Sequence, residues 1–140
     1  MTQPYLLPPS PIERIDDFLA AGGGRGLERA LQIGETATID LITAAGLRGR
    51  GGAGFSTGRK WASVRDGGAG SRFVVANGAE GEPATFKDRM LIRRDPYRIV
   101  EGAAIAAFAV GAGSVFLATK RSYAREVQAL KRAAVELTAQ

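Results

Sequence analysis

The residues best suited to chemistry lie in a glycine-rich, positively charged segment near the middle of the chain. Residues 46–58 contain six glycines in thirteen positions. Glycines carry no Cβ atom, so several of their backbone N–H groups can converge on one anion. Arg50, Arg59 and Lys60 add full positive charges beside them. The segment is therefore typical of a loop that binds phosphate groups.

This loop matches neither of the two common phosphate-binding patterns. The Rossmann fingerprint lies directly between a strand and a helix, whereas residues 46–58 follow a predicted helix. A Walker A loop ends in Lys followed by Ser or Thr, whereas Lys60 is followed by Trp61. Composition alone also allows a mobile basic linker, but Leu47, Phe55 and Trp61 are large apolar residues that linkers usually lack. An aromatic ring beside a phosphate site indicates a nucleotide cofactor.

A second polar cluster, residues 77–83, follows a predicted strand. Asn77 can donate to and accept from the edge of a heterocycle, and Glu80 and Glu82 can accept hydrogen bonds from ribose hydroxyls or an amide. Open parallel sheets bind ligands beyond the carboxyl ends of their strands, which is where this cluster falls. The alternative is a solvated turn with two exposed glutamates. The charged residues at 87–89 and 93–95 are interpreted as surface ion pairs.

The hydrophobic pattern predicts an α/β protein in which a helical N-terminal segment, residues 1–45, precedes the loop. Helices are expected from Ser10, as N-cap, to about residue 21, over 27–33 and over 38–45. After the loop, we expect a buried strand over 72–76, a short charged turn or helix near 86–92, an alanine-rich helix over 97–110, a strand over 114–119 and a final helix capped by Ser122. This order predicts an incomplete Rossmann-like parallel βαβα unit, because two parallel strands do not make a stable sheet alone.

Composition excludes several classes of site. The 140 residues contain no cysteine and no histidine, so disulfides, thiolate metal sites, iron–sulfur ligation, catalytic thiols and histidine triads are not available within them. The longest apolar stretch, residues 103–110, is too short to span a bilayer. Residues 1–11 lack the basic start of a secretory signal, and a cytoplasmic location is expected.

The net charge of +5 is concentrated around the glycine loop. Residues 41–65 contain five basic side chains and no acidic one. A basic segment of this kind is also compatible with a nucleic-acid-binding module. That alternative lacks interleaved aromatic side chains beyond Phe55 and Trp61, and we expect no nucleic-acid partner.

Two motifs together resemble the family of flavin-binding subunits of respiratory NADH:quinone oxidoreductase. The first comprises residues 46–55 with Gly58, Lys60 and Trp61, and the second comprises residues 77–83 followed by 86–89. The resemblance runs from about residue 45 to the C-terminus, and the same family includes subunits of NAD-reducing hydrogenases and formate dehydrogenases. It implies that residues 46–140 are the N-terminal half of an FMN- and NADH-binding domain.

The resemblance also implies roles for individual residues and partners. FMN would be held by the loop and the amino group beside it, namely by Gly49, Arg50, Gly51, Gly52 and Lys60. Asn77 and Glu80 would lie near the flavin, and Phe55 and Glu82 would face NADH. Hydride transfer from NADH to FMN would be followed by electron transfer to a 4Fe-4S cluster in an iron–sulfur subunit or domain outside this chain. The location would be cytoplasmic, at most peripheral to a membrane complex, with no direct membrane insertion.

Three departures from the family pattern bear on activity. Ala79 stands where Asp is usual, Ala84 where Gly is usual, and Ser63 where an aromatic residue is common near the nicotinamide. The family's second cofactor-contacting segment and its four-cysteine cluster site are also missing from these 140 residues. A truncated, non-catalytic remnant that keeps the fold is therefore the alternative function.

Overall fold

The computed structural model describes residues 7–50, 53–68 and 70–139, and over these residues the chain forms an α/β arrangement of helices around a small sheet. The elements in chain order are α1 (Ile15–Ala20), α2 (Arg25–Ile33), α3 (Glu35–Ala44), α4 (Thr57–Asp66), β1 (Phe73–Asn77), α5 (Lys87–Arg94), α6 (Pro96–Val110), β2 (Ser114–Ala118) and α7 (Ala124–Thr138). The predicted α/β class is confirmed.

The sheet is the parallel pair that the strand–helix–strand order predicts. β1 pairs with β2 in a register that runs from Phe73 opposite Ser114 to Asn77 opposite Ala118. The chain passes from one strand to the other through α5 and α6, and α6 contacts both strands. The carboxyl ends of both strands therefore lie at the same edge, where the 77–83 cluster begins.

The prediction that the first strand is buried is wrong. Phe73 and Val75 are 58% and 59% exposed, and Phe116 of β2 is 53% exposed. The rings of Phe73 and Phe116 lie 6.1 Å apart, so these side chains share one face. A run of apolar residues cannot distinguish a strand covered on both faces from one covered on a single face. The described residues leave this face open.

The alanine-rich helix α6 is buried on several sides, as predicted. Pro96 occupies its first turn, and the Asp95 side chain accepts a 2.9 Å hydrogen bond from the Arg98 backbone N–H as the N-cap. Gly111 ends the helix in the left-handed conformation, with φ of 67°. Small side chains along α6 allow α2, α3, α4 and α7 to pack around it.

The first helix begins later than its capping signal predicts. α1 starts at Ile15, and no side chain caps it. Before it, the Ile12 backbone N–H donates to the carbonyl of Arg94 at 2.9 Å, and Ile12 is buried with Phe18 and Tyr97. These long-range contacts outweigh a local Ser10 cap. Ser122 likewise does not cap α7, whose N-cap is Tyr123.

One helix, α4, is absent from the sequence-based prediction. Ser56 caps it by accepting a hydrogen bond of 3.4 Å from the Arg59 backbone N–H. Gly58 lies buried inside it, and a Cβ at this position would lie 2.8 Å from the backbone nitrogen of Thr43 in α3. The glycine that made the segment resemble a loop is required where two helices touch.

The interpretation of residues 87–89 and 93–95 as surface ion pairs is correct only for Lys87, which pairs with Asp88 at 3.5 Å. Arg93 Nε donates over 2.6 Å to Glu126, whose side chain is 2% exposed. Arg89 also pairs with a buried carboxylate, described below. Glu80 in the 77–83 segment and Glu126 in α7 become buried when the chain folds, and the long arginine side chains still reach their carboxylates.

Candidate functional site

The glycine-rich loop is closed at its base by backbone pairing. Arg48 and Ser56 form an antiparallel bridge, Gly49 N–H donates to the Phe55 carbonyl at 2.9 Å, and Thr57 N–H donates to the Leu47 carbonyl at 2.9 Å. A mobile linker would not make these bonds. Gly51 and Gly52, which the family resemblance assigns to FMN, lie outside the described residues.

The closed loop forms one wall of a cleft of about 510 Å³. This volume falls within the roughly 300–1,000 Å³ of typical small-molecule sites. Gly49, Phe55 and Lys60 all line the cleft, so the structure brings three of the predicted cofactor-binding residues together. The remaining walls come from α4, β1 and α6, with lining residues Thr57, Trp61, Val64, Phe73, Val74, Val75, Ala106 and Val110.

Most of the apolar wall was not identified from the sequence. Trp61 and Val64 lie one turn apart on α4, and the exposed side chains of Phe73 and Val75 continue this surface along β1. If α4 had been predicted, its helical spacing would have shown that Trp61 and Val64 lie on the same face of the helix. The cleft thus combines an apolar surface with the positive charge of Lys60, which is exposed.

The other predicted residues do not line this cleft. Arg50 is exposed next to Gly49. Asn77 lines a smaller pocket of about 180 Å³ at the carboxyl ends of β1 and β2, together with Asp88 and Leu91. Its side-chain oxygen accepts a 3.1 Å hydrogen bond from the Ala79 backbone N–H, which shapes the start of the following turn.

Glu80 is buried and fully engaged within the protein. Its side chain is 1% exposed, and its carboxylate accepts hydrogen bonds from Arg89 Nε at 2.8 Å and from the Asp88 backbone N–H at 2.9 Å. Burial alone raises the pKa of this carboxyl, but the bonds from Arg89 and Asp88 outweigh it and hold the pKa below its usual value. Lys120 Nζ donates to the Glu80 carbonyl at 3.0 Å.

Tyr123 completes the surroundings of this ion pair. Its ring lies 4.9 Å from the Arg89 guanidinium carbon and 5.5 Å from Lys120 Nζ. We call Glu80, Arg89, Lys120 and Tyr123 the loop clamp, because they join the 77–83 segment to α5 and to the start of α7. Both cations stack on the ring as cation–π contacts.

Glu82, by contrast, is the solvated glutamate of the turn. Its side chain is 70% exposed and forms a surface pair with Lys87 at 3.4 Å. Two residues later, Ala84 adopts the left-handed conformation with φ of 60°. Glycine tolerates this conformation better than alanine. This explains why the family that the sequence resembles usually has glycine at this position.

Two further classes of site have no counterpart in the part of the chain that the structure describes. No group of three or more histidine, cysteine, aspartate or glutamate residues there could hold a metal ion. No helix within the same ranges has the length and apolar character needed to cross a membrane.

Comparison with known proteins points to the segment that contains the cleft. Residues 42–140 match the family described as the Nuo51 FMN-binding domain. The chain is 42% identical over 113 residues to an NADH-quinone oxidoreductase subunit of Aquifex aeolicus, a match that covers 80% of this chain and 26% of that protein. It is 40% identical over 123 residues to the HndC subunit of the NADP-reducing hydrogenase of Solidesulfovibrio fructosivorans, covering 86% of this chain and 24% of that one.

A solved structure shares the fold. A crystal structure of an NAD+-reducing NiFe hydrogenase in the air-oxidized state aligns with a TM-score of 0.77 at 34% identity, over 92% of this chain and 23% of that chain. The chain therefore spans about a quarter of the length of the relatives it matches.

Proposed function

The chain belongs to the Nuo51 FMN-binding domain family, and from this premise we propose that the 510 Å³ cleft binds FMN as part of an NADH-oxidising flavoprotein. The observation that carries the proposal is the position of Gly49, Phe55 and Lys60 around one cleft whose opposite wall is apolar. FMN requires both kinds of surface, because its phosphate is charged and its ring system is flat and largely apolar.

The residues present fit the cofactor. A Cβ added to Gly49 would meet only the Phe55 backbone, at 3.7 Å and 4.0 Å, so the protein itself leaves room for a side chain there. Gly49 lines the cleft, where the Lys60 ammonium can approach a phosphate. Trp61 and Phe73 offer faces on which a flat ring can pack.

The roles assigned to single residues follow from these positions. Lys60 holds the FMN phosphate, and Gly49, whose N–H is bonded to the Phe55 carbonyl, leaves space for it. Gly51 and Gly52 are assigned to the phosphate by family resemblance. Phe55 is 56% exposed at the rim and is available to the dinucleotide. The Glu82 side chain remains available to face NADH, since among the described residues its carboxylate is paired only with the exposed Lys87.

Glu80 takes a different role from the one its sequence position indicates. Its carboxylate is occupied by Arg89 and by the Asp88 N–H, so we assign it to positioning the 77–83 segment rather than to binding flavin. Asn77, which begins this segment at the carboxyl end of β1, is assigned to the flavin by family resemblance alone.

Bound FMN would supply an acceptor for the hydride of NADH and a carrier that releases electrons singly. The protein's own residues bind and orient it. No cysteine occurs in the 140 residues, so ligation of an iron–sulfur cluster would come from another segment or another protein chain. We also propose that residues 1–45 form a helical N-terminal segment distinct from the FMN-binding part, residues 46–140, and that the protein is cytoplasmic.

Flavin titration of the purified chain tests this proposal. FMN fluorescence should be quenched on binding, and riboflavin, which lacks the phosphate, should bind at least about tenfold more weakly because a charge-assisted bond to phosphate is lost. Equal affinities for FMN and riboflavin would contradict the assignment of the glycine loop to phosphate. A chain that retains no flavin, alone or with a co-expressed iron–sulfur protein, would contradict the function.

A further inference from the structure

The two segments that follow the parallel strands run side by side beyond the sheet. The Gly78 backbone N–H donates to the Ala118 carbonyl at 2.8 Å, and Thr119 Oγ1 donates to the Gly78 carbonyl at 3.3 Å. Lys120 Nζ then donates to the Glu80 carbonyl at 3.0 Å. The residues at the end of β2 and just after it therefore hold the start of the segment that follows β1.

Lys120 is the charged member of this series of contacts. Its acceptor, the Glu80 carbonyl, belongs to a residue whose φ of 47° is unfavourable for any residue other than glycine. Such a conformation persists when surrounding contacts hold it. Lys120 supplies one of these contacts, and Arg89 of α5 supplies another through the Glu80 carboxylate. Lys120 thereby helps to fix the path of the backbone between Asn77 and Glu82.

The ring of Tyr123 restricts where the Lys120 ammonium can lie. The ring centroid is 5.5 Å from Lys120 Nζ and 4.9 Å from the guanidinium carbon of Arg89. Lysine is ordinarily a flexible side chain, and a cation–π contact favours those rotamers that keep its ammonium over the ring. A lysine held in this way can fix the position of the carbonyl that it binds.

The contact of Lys120 differs from an ordinary surface ion pair. Lys87, for comparison, pairs with the exposed carboxylate of Glu82 at 3.4 Å, and pairs of this kind contribute little to stability. Lys120 instead binds a main-chain carbonyl, so its loss acts on the path of the backbone itself. That carbonyl lies between Asn77 and Glu82, the two residues of the segment that the proposed function assigns to the flavin and to NADH.

We propose that Lys120 is a positioning residue for cofactor binding, which holds the 77–83 segment in the conformation that serves the cofactors and touches neither ligand itself. This inference rests on the proposed function. Because the FMN phosphate is assigned to Lys60, Lys120 acts on the binding of the flavin ring and not of the phosphate. Loss of Lys120 therefore weakens FMN and riboflavin by the same factor, whereas loss of Lys60 weakens FMN alone.

Fluorescence titration of Lys120→Met with FMN and with riboflavin tests this separation, because methionine is also unbranched but has no ammonium. Both affinities should fall about threefold to tenfold, the effect of losing one hydrogen bond, and the ratio of the two affinities should keep its wild-type value. Lys120→Arg, which keeps the charge and the donors, should recover most of the loss. Lys131→Met, at an exposed position on α7, is the matched control and should change neither affinity.

The Tyr123 ring offers a second test. Tyr123→Phe keeps the aromatic face and should retain the wild-type affinities, whereas Tyr123→Leu removes it and should weaken both flavins as Lys120→Met does. Hydrogen exchange at the backbone amides of residues 78–82 should be faster in Lys120→Met and in Tyr123→Leu, while exchange in α6 should stay unchanged. This pattern distinguishes local loosening of the segment from a loss of global stability.

Unchanged affinities of Lys120→Met for both flavins would overturn the inference even if the free energy of unfolding fell, because Lys120 would then only stabilise the fold. A loss confined to FMN would also overturn it, since Lys120 would then bind the phosphate. If the wild-type chain binds no flavin, the proposed function fails, and hydrogen exchange decides separately on Lys120. Faster exchange at residues 78–82 in Lys120→Met would then support its hold on the segment, and unchanged exchange would contradict it.

Discussion

The carboxylate of Glu80 accepts a 2.8 Å hydrogen bond from Arg89 Nε while its own side chain is 1% exposed. Glu80 also has a positive φ of 47°, an unfavourable conformation for a residue other than glycine. A strained backbone persists when surrounding contacts over-determine it. Here those contacts are the loop clamp, which joins the 77–83 segment to α5 and to the chain before α7.

The loop clamp predicts a pH dependence of stability. Because the folded state holds the pKa of Glu80 below its ordinary value of 4.5, the ion pair contributes stability above that pH and loses it as the pH falls through the lower, folded pKa. Urea unfolding between pH 7 and pH 3 should therefore show a smaller loss of stability in Glu80→Gln than in the wild-type chain. Glu82→Gln, which changes an exposed glutamate in the same segment, should keep the wild-type pH profile.

A second prediction concerns Lys60. Lys60→Ala removes the positive charge that we propose binds the FMN phosphate. It should weaken FMN binding about tenfold to one-hundredfold, which corresponds to the 1.5–3 kcal/mol typical of hydrogen bonds to charged groups. Riboflavin affinity should change little, because riboflavin has no phosphate. Fluorescence titration measures both. Lys131→Ala, at an exposed position on α7, controls for net charge, and an equal loss in that variant would contradict the specific role of Lys60.

The contact between α3 and α4 gives a third prediction. Gly58→Ala places a methyl group 2.8 Å from the Thr43 backbone nitrogen, so α4 must shift, and the free energy of unfolding should fall by roughly 1–3 kcal/mol as in other overpacked sites. FMN affinity should fall as well, since Lys60 moves with the helix. Denaturant unfolding and flavin titration measure the two effects.

Gly102 provides the matched control for this substitution. It lies within α6, where an added Cβ would meet no atom within 4 Å. Gly102→Ala should therefore stabilise the chain by up to about 1 kcal/mol through helix propensity. If Gly58→Ala were equally neutral or stabilising, the close approach of α3 and α4 would not require glycine.

A fourth prediction concerns Ala84, whose φ of 60° places it in the left-handed region. Ala84→Gly should raise the free energy of unfolding by about 0.5–1 kcal/mol, because relief of the left-handed strain exceeds the extra chain entropy of glycine. Thermal or denaturant unfolding measures the change. Ala79→Gly, in the same segment without a positive φ, should instead leave stability unchanged or lower it, and a similar gain there would argue against strain at Ala84.

The glycine loop shows which features the local sequence predicted and which it did not. Its six glycines and clustered positive charges indicated phosphate binding, and the structure places Gly49, Phe55 and Lys60 around one cleft. The same glycines obscured α4, because helix propensity disfavours glycine and gives no information about Gly58 facing Thr43. The partner that makes glycine necessary lies on another helix.

The polar cluster after β1 shows that residues close together in sequence can have quite different surroundings in the structure. Sequence placed Asn77, Glu80 and Glu82 together because they are neighbours along the chain. In the structure, Asn77 lines a small pocket, Glu80 is buried against Arg89, and Glu82 is exposed. Burial and ion pairing depend on which distant side chains arrive at a position, and residue spacing does not encode this.

The sequence by itself determined the α/β class and the parallel strand pair, and it predicted a phosphate-binding loop. These follow from short-range properties, namely hydrophobic periodicity, β-branched runs and glycine without Cβ. Only the tertiary structure decided which face of β1 is exposed, where α1 begins and which carboxylates are neutralised. Each of these depends on contacts between residues that are not neighbours in the chain, and the energies of such contacts cannot be obtained from a local pattern.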